Sequence, residues 1–251
     1  MTAPLSRRDR RLRQFHPEAR FGGFTDIDGH ITFYARVHEL LPADGVALDI
    51  GCGRGEAAED PIGIRRELRT LRGHCARVIG IDVDPVGAEN PTLDEFRLIE
   101  DTARWPIEDA SIDLAVADFV LEHVEDPPSF FAEAARTLKP GGYLCLRTIN
   151  TRSYLGVASR LVPSSAHGKL LSRMTPERKE EDVFPTVYRC NTRPKLRRAL
   201  ADHGFDGVVY GTDSEPSYLA FSAPTYAMGL LYRRLAPAGL RLGLVAFAQR
   251  R

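Results

Sequence analysis

The chain has 251 residues, a length that suits one large α/β domain or one domain with an inserted cap. Its 34 basic and 34 acidic residues balance, so the net charge does not favour nucleic acid as a partner. The four cysteines lie far apart without a Cys-x-x-Cys pair, which is poor metal spacing and typical of reduced thiols. The N-terminus lacks the apolar core of a signal peptide, and no uncharged run reaches the roughly 20 apolar residues of a membrane span. We therefore expect a cytoplasmic protein.

The N-terminal segment combines a basic region with a predicted helix. Within residues 1–20, five arginines lie close together, namely Arg7, Arg8, Arg10, Arg11 and Arg13. We expect a solvated, partly disordered arm here, and a phosphate-binding arm is the alternative. Apolar residues at helical spacing then predict a helix over residues 26–41, which ends at Pro42.

Residues 46–55 predict a buried strand that runs into a glycine-rich turn. The turn contains three alternating glycines, Gly51, Gly53 and Gly55. A backbone without side chains can approach a ligand closely, and open α/β sheets bind nucleotide-like ligands at the carboxyl end of the first strand. The dinucleotide fingerprint does not fit, because Glu56 replaces its last glycine and Asp82 follows about 30 rather than about 20 residues on. A Walker loop is excluded because no Lys-Ser/Thr pair follows the glycines.

Short apolar runs predict six further strands, at residues 75–82, 96–99, 111–118, 143–148, 205–210 and 240–248. Helices are predicted at residues 128–138 and 191–203, and a tight turn at residues 139–142. Two connections are shortened: the helix after the glycine turn is broken, with a second helical run at residues 64–71, and only a short turn fits after residue 82.

Four motifs, in order along the chain, resemble those of class I S-adenosylmethionine (SAM)-dependent methyltransferases. They are Asp49-x-Gly51-x-Gly53-x-Gly55, Leu121-Glu122-His123-Val124, Asp126-Pro127, and Leu138-Lys139-Pro140-Gly141-Gly142 before a strand. Within that family the chain is most similar to quinone-biosynthesis and natural-product small-molecule O-methyltransferases. The resemblance covers residues 30–148 well and residues 191–251 weakly.

The resemblance implies an α/β fold, a Rossmann-like seven-stranded sheet with helices on both faces, the last strand antiparallel, and a small cap. It also implies SAM as the cofactor and S-adenosylhomocysteine as the product. Residues 1–251 would form a single methyltransferase domain. Its parts would be the arm at 1–20, a lid helix at 21–45, a SAM-binding core at 46–148, a cap insertion at 149–190, and the rest of the sheet at 191–251, with 213–235 covering the site.

The resemblance also assigns ten cofactor-binding residues. They are Asp49, Gly51, Cys52, Gly53, Gly55, Asp82, Val83, Asp101, Thr102 and Asp118. Asp82 would accept hydrogen bonds from both ribose hydroxyls, with Asp84 as the alternative, and Asp101 would accept from the adenine amine. On the lid helix, four residues are candidates to face the site: Asp28, His30, Phe33 and Tyr34. A core position is the alternative for the two aromatic residues.

His123 is the predicted general base, because it follows the fourth strand and histidine ordinarily titrates near neutral pH. The alternative is that His123 packs or orients a loop; His30 and His167 are less favoured bases. Some relatives carry a further acid three residues before the Glu of the second motif, as part of a divalent-metal site. That position is Phe119, with Asp118 one residue away, so we assign no metal.

Aromatic residues and few clustered charges in the covering segments favour a small, partly apolar acceptor. We expect methyl transfer to a hydroxyl, or to nitrogen or carbon, of a quinol, polyketide or sugar-bearing natural product. The alternatives are a non-catalytic SAM-binding partner protein and, less favoured, an RNA methyltransferase. The uncharged residues 216–232 are expected to pack against the sheet, with peripheral membrane contact as the alternative, and the protein is expected to be a monomer or a homodimer.

Overall fold

The computed structural model describes residues 6–161 and 185–251, and these contain one seven-stranded sheet in the order β3-β2-β1-β4-β5-β7-β6. The strands are β1 (Val46–Ile50), β2 (Arg77–Asp82), β3 (Glu95–Leu98), β4 (Ile112–Asp118), β5 (Leu138–Ile149), β6 (Phe205–Thr212) and β7 (Gly243–Arg250). Strands β1 to β5 pair in parallel, and β7 is antiparallel to both β5 and β6. The predicted Rossmann-like sheet with an antiparallel last strand is confirmed.

Seven α-helices lie within the described residues. They are α1 (Arg7–Phe15), α2 (Gly29–Leu40), α3 (Gly63–Arg69), α4 (Pro127–Thr137), α5 (Tyr154–Leu161), α6 (Arg193–Asp202) and α7 (Ala223–Leu235). The two shortened connections are confirmed, because single 3-10 turns at Glu56–Glu59 and Pro85–Glu89 follow β1 and β2. The first of these turns and α3 together replace the one long helix that would otherwise follow the glycine turn.

Helices cover both faces of the sheet. Phe33 and Val37 of α2 pack against β1, β4 and β5 on one face, and Phe131 of α4 and Leu196 of α6 pack against the other. Burying each such side chain contributes about 1.5–3 kcal/mol. The strand order reverses between β1 and β4, which is where open α/β sheets form a crevice for ligands.

The start of β5 differs from the expected tight turn. Strand β5 already begins at Leu138, which pairs with Ile112, and its register then shifts before Tyr143 pairs with Leu114. Gly141 has a positive φ of 82°, so the glycines accommodate an irregularity within the strand rather than a turn before it.

The prediction of a solvated arm is wrong for residues 6–20. Residues 7–15 form α1, which starts with a capping box between Ser6 and Asp9. The Phe15 ring lies 5.1 Å from that of Tyr226, centroid to centroid, and Arg11 donates to the carbonyl of Ala220. The helix therefore packs against the segment that includes α7.

Deleting residues 1–20 should lower the melting temperature without changing affinity for S-adenosylhomocysteine. The deletion exposes the surface of Tyr226 that Phe15 covers, at a cost of about 2 kcal/mol, or at least about 4 °C for a chain of this size. Phe15→Ala should reproduce part of the loss, and exposed Gln14→Ala should not. Differential scanning calorimetry measures the three variants, and an unchanged melting temperature after the deletion would show that α1 does not pack in solution.

The uncharged segment 216–232 is only partly packed. Tyr226 is buried, but Phe221, Met228, Leu231 and Leu235 are exposed along or just before α7. Among the described residues, no helix has both the length and the apolar character needed to cross a bilayer.

Candidate active site

The turn after β1 is shaped by three glycines in left-handed conformations, with φ angles of 67° at Gly51, 51° at Gly53 and 80° at Gly55. A β-carbon on Gly51 would lie 2.6 Å from a methyl of Val120, and one on Gly55 would lie 2.2 Å from Asn90 Oδ1. Glycine is therefore required at both positions for backbone conformation and for space. The result is an open backbone cradle above β1.

Asn90 holds the glycine turn in place. Its Nδ2 donates to the carbonyls of Cys52, at 2.9 Å, and Gly53, at 3.2 Å. Its Oδ1 accepts from the backbone and hydroxyl of Thr92, at 2.9 and 2.7 Å. The sequence analysis did not identify Asn90 as a site residue.

Asp82 lies at the end of β2 with both carboxylate oxygens directed at backbone amides. Oδ2 accepts from Gly53 N at 2.9 Å, and Oδ1 accepts from Asp84 N at 3.0 Å. The Asp84 carboxylate instead accepts from Val86 N and begins the 3-10 turn. Asp82 is thus the acid that is fixed against the cradle, whereas Asp84 has a local capping role.

Three acids, Asp49, Asp82 and Asp118, lie at the ends of adjacent strands. The pKa values of Asp49 and Asp118 are shifted in opposite directions. Burial raises the pKa of Asp49 to about 7, and repulsion from Asp118 and Asp82 adds to the shift. Burial alone would also raise the pKa of Asp118, but the Arg147 guanidinium outweighs it and holds that pKa below its ordinary value. The charge state of Asp49 can therefore change near neutral pH.

Asp118 and Arg147 form a buried, bidentate ion pair between β4 and β5. Nε and Nη2 of Arg147 lie 2.6 and 2.5 Å from the two carboxylate oxygens, and the Tyr34 hydroxyl donates to Asp118 at 3.2 Å. Burial and the nearby Arg147 lower the pKa of His30 to about 3, so His30 is neutral at physiological pH. The ion pair lies beneath the lid helix α2 and is joined to it through Tyr34.

The four lid candidates have separate roles. Tyr34 lines the cavity described below, whereas Phe33 is buried against Phe247 at 5.5 Å between ring centroids. Asp28 caps α2 by accepting from His30 N and from Ile31 N. Phe33 and Tyr34 are both core residues, and only Tyr34 also reaches the site.

His123 is held by the chain that returns from the predicted cap. Its Nδ1 lies 2.9 Å from the carbonyl oxygen of Pro185. A carbonyl can only accept, so Nδ1 carries the hydrogen in the neutral ring and Nε2 is the basic nitrogen. The Glu122 carbonyl likewise accepts from Val187 N and Tyr188 N, which anchors residues 185–188 to the second motif. Of the cap predicted at 149–190, residues 162–184, including His167, lie outside the described residues.

One cavity of about 560 Å³ brings most of the predicted residues together. Nine of the ten cofactor candidates line it, together with His123: Asp49, Gly51, Cys52, Gly53, Gly55, Asp82, Val83, Thr102 and Asp118. Among the lining residues that the sequence analysis did not assign to the site are Arg69, Asn90, Trp105, Phe119 and Phe130. The motifs mark residues at the ends of strands. They do not mark side chains that reach the cavity from helices, such as Arg69 of α3 and Phe130 of α4.

Asp101 is the one cofactor candidate that does not line the cavity. Its carboxylate is exposed and accepts from Ala103 N at 2.8 Å, which closes a local turn. The prediction that Asp101 contacts the adenine therefore finds no support in this arrangement, whereas its neighbour Thr102 is in place.

The position three residues before Glu122, where the resemblance suggested a further acid in some family members, offers no ligand atom here. Phe119 occupies it, and the carboxylate of the preceding Asp118 is bound on both oxygens by Arg147. Glu122 accepts from the Thr148 hydroxyl at 2.7 Å. These donor groups do not form the acid pair that a divalent cation prefers.

Comparison with protein families matches residues 26–210 to a methyltransferase domain. A ubiquinone biosynthesis O-methyltransferase of Marinobacter nauticus is 36% identical over 114 residues, which is 41% of this chain and 44% of that protein. A malonyl-[acyl-carrier protein] O-methyltransferase of Hahella chejuensis is 29% identical over 161 residues, 61% of this chain and 52% of that protein. The chain spans about half the length of these curated relatives.

Two solved structures show the same fold. A SAM-dependent methyltransferase of Thermotoga maritima has a TM-score of 0.52 at 16% identity, with 98% of each chain covered. The geranyl diphosphate C-methyltransferase of Streptomyces coelicolor, solved with S-adenosylhomocysteine, Mg²⁺ and geranyl diphosphate, has a TM-score of 0.53 at 18% identity, covering 88% of this chain and 79% of that one. The family match covers well over half of the chain, and the fold and glycine turn agree with it; the protein belongs to the class I SAM-dependent methyltransferases.

Proposed function

We propose that the protein transfers the methyl group of SAM to a hydroxyl of a small, partly apolar molecule. The observation that carries the proposal is that one cavity holds both the glycine cradle with its three acids and a histidine whose basic nitrogen is defined. The first group suits the cofactor, and the second suits the removal of a proton from a hydroxyl. The O-methyltransferase names of two relatives support the choice of oxygen.

The residues fit SAM by shape and charge. The cradle leaves room that a β-carbon would fill, Asp82 offers a carboxylate to which two ribose hydroxyls could donate, and Asp49 suits the ammonium of the amino acid end. When bound, SAM supplies an electrophilic methyl group on a positively charged sulfur. The chain's task is to align the acceptor with that methyl and to exclude water, and alignment alone can contribute about 7–11 kcal/mol.

Arg69 is suited to hold the carboxylate of the cofactor. It lines the cavity from α3, and its Nη1 lies 3.2 Å from Asp60 Oδ2. Its Nε is buried without a hydrogen-bond partner among the described residues. An unsatisfied buried guanidinium donor is costly unless a ligand accepts from it. A cation at this place would offset the repulsion between the three acids and the carboxylate of the cofactor.

Arg69→Ala should weaken binding of S-adenosylhomocysteine about 10–100-fold and leave adenosine binding unchanged. A hydrogen bond between charged groups is worth about 1.5–3 kcal/mol, and adenosine has no carboxylate to lose it. Calorimetry with both ligands measures the difference, and Arg72→Ala, at an exposed arginine three residues away that does not line the cavity, is the matched control. Equal losses for the two ligands would place Arg69 away from the carboxylate.

Binding of S-adenosylhomocysteine should release close to one proton at pH 6 and much less at pH 8.5. Asp49 has a pKa of about 7, so it is mainly protonated at pH 6 and ionised at pH 8.5. The ligand's ammonium group stabilises the ionised carboxylate and lowers that pKa, which expels the proton. Calorimetry in two buffers of different ionisation enthalpy counts protons, and Asp49→Asn should abolish the release. Equal enthalpies in both buffers at pH 6 would show that Asp49 does not meet the ammonium.

The proposed function is tested in two steps. Calorimetry should show S-adenosylhomocysteine binding and no NAD binding at tens of micromolar protein. Radiolabelled methyl transfer from SAM is then measured with a panel of quinols, hydroxylated polyketides and glycosides. Cofactor binding without transfer to any small molecule, or transfer only to RNA or protein, would overturn the proposed acceptor class.

A further inference from the structure

Phe119 has a backbone conformation that its side chain does not favour. Its φ is 58°, in the left-handed region that bulky residues rarely adopt. The conformation is held in place because Phe119 N donates to the carbonyl of Arg147 at 2.8 Å and the preceding Asp118 is bound by the same arginine. Such outliers persist where the surroundings impose them, and they cluster at functional sites.

The strain is not explained by burial of the ring. Phe119 is 40% exposed and lines the cavity directly after β4, and His123 lines the same cavity. A phenylalanine that served only the core would be buried, as Phe33 and Phe131 are. The backbone of this residue therefore presents an apolar ring to the cavity.

One face of the ring is covered by a buried cation. The Arg147 guanidinium carbon lies 4.8 Å from the Phe119 ring centroid, and the arginine is 5% exposed. Its charge is balanced by Asp118, and it does not line the cavity, so it is not itself a site for an anion. It instead draws electron density towards the covered face, which leaves the other face less negative.

The geometry points to Phe119 as the platform that selects the acceptor: its free face stacks on an electron-rich aromatic ring and directs the hydroxyl of that ring to His123. An aromatic ring with a hydroxyl substituent has a negative face, and it stacks best on a ring that has been made less negative. This inference rests on the proposed function. It adds that the residue directly after β4 selects the acceptor.

The test uses a pair of probes with the same bicyclic skeleton, 2-naphthol and decahydro-2-naphthol, of which only the first is aromatic. With S-adenosylhomocysteine bound, calorimetry should show 2-naphthol binding about tenfold more tightly, the size expected for an aromatic pair. Phe119→Leu should remove the difference between the probes and leave S-adenosylhomocysteine affinity unchanged, whereas Phe119→Tyr should keep the difference. Phe221→Leu, the same change at an exposed phenylalanine that does not line the cavity, should also keep it.

Phe119→Gly separates selection from packing. Glycine tolerates the left-handed φ, so this variant should lose the preference for 2-naphthol at a melting temperature equal to or above that of the wild type. A lower melting temperature with the preference intact would mean that Phe119 only packs on Arg147. Failure of 2-naphthol to bind, or an unchanged preference in Phe119→Leu, overturns the platform even if methyl transfer to a hydroxyl is found, whereas absence of methyl transfer to the whole panel overturns the proposed function.

Discussion

Replacing Asp82 by alanine should weaken S-adenosylhomocysteine binding by about 10²–10⁴-fold, because two hydrogen bonds to a charged group are lost at about 1.5–3 kcal/mol each. The same change should weaken adenosine binding by a similar factor, since the ribose is common to both ligands. This pattern distinguishes Asp82 from Arg69, whose loss should affect only the ligand with a carboxylate. Calorimetry measures the affinity of the Asp82→Ala and Arg69→Ala variants for each of the two ligands.

Asp84→Ala is the matched control for this prediction. Asp84 lies two residues away and also lines the cavity, but its carboxylate caps the 3-10 turn through Val86 N at 2.9 Å. Loss of such a cap costs about 1 kcal/mol, and we expect less than a tenfold loss of affinity. Equal losses of affinity in Asp82→Ala and Asp84→Ala would show that our assignment of the ribose to Asp82 is wrong.

Asp82 also holds the backbone of the glycine turn in place. A second variant distinguishes this structural effect from a direct bond to the ribose. The carboxylate accepts from Gly53 N and Asp84 N, so Asp82→Ala leaves two backbone donors without their acceptor. Asp82→Asn keeps one carbonyl oxygen and can still hold one of them. If affinity in Asp82→Asn returns to within a few-fold of the wild type, the role of Asp82 is to support the cradle rather than to bind the ribose through its charge.

Features that depend on local sequence patterns could be predicted. The apolar runs and the glycine spacing locate β1 and β2, and the shortened connections follow from Pro61 and Gly87. Asp82 could be placed at the ligand edge of the sheet because it ends a parallel strand, whereas its proposed role with the ribose came from the family resemblance. These inferences need only local periodicity and one topological rule.

Features that depend on contacts between distant residues could not be predicted. The Asp118–Arg147 pair requires knowledge that β4 and β5 place these residues opposite each other, 29 positions apart. The placement of Asp101 could not be predicted for a different reason, since its carboxylate closes a local turn by accepting from Ala103 N. The error over α1 could have been reduced, because Ser6 and Asp9 form a recognisable capping pattern that five arginines obscured.

His123→Ala should lower turnover by about 10²–10⁴-fold, the usual range for loss of a general base, and leave S-adenosylhomocysteine affinity unchanged. The ring lines the cavity, and its Nδ1 contact with Pro185 leaves Nε2 as the nitrogen that can take a proton from the acceptor hydroxyl. The same contact supports the alternative role, in which His123 merely anchors residues 185–188. Alanine removes both functions, so this variant alone cannot separate them.

His123→Asn separates the two roles, because the amide nitrogen of asparagine can replace Nδ1 as donor to the Pro185 carbonyl but offers no basic nitrogen in place of Nε2. If His123 is the base, His123→Asn should be as slow as His123→Ala, while its melting temperature stays near that of the wild type. The slow step in both variants should also become faster as pH rises, since hydroxide or the ionised acceptor then replaces the missing base. If His123→Asn instead turns over at a rate near that of the wild type, the histidine is an anchor for the returning chain, and the proton of the acceptor leaves by another route.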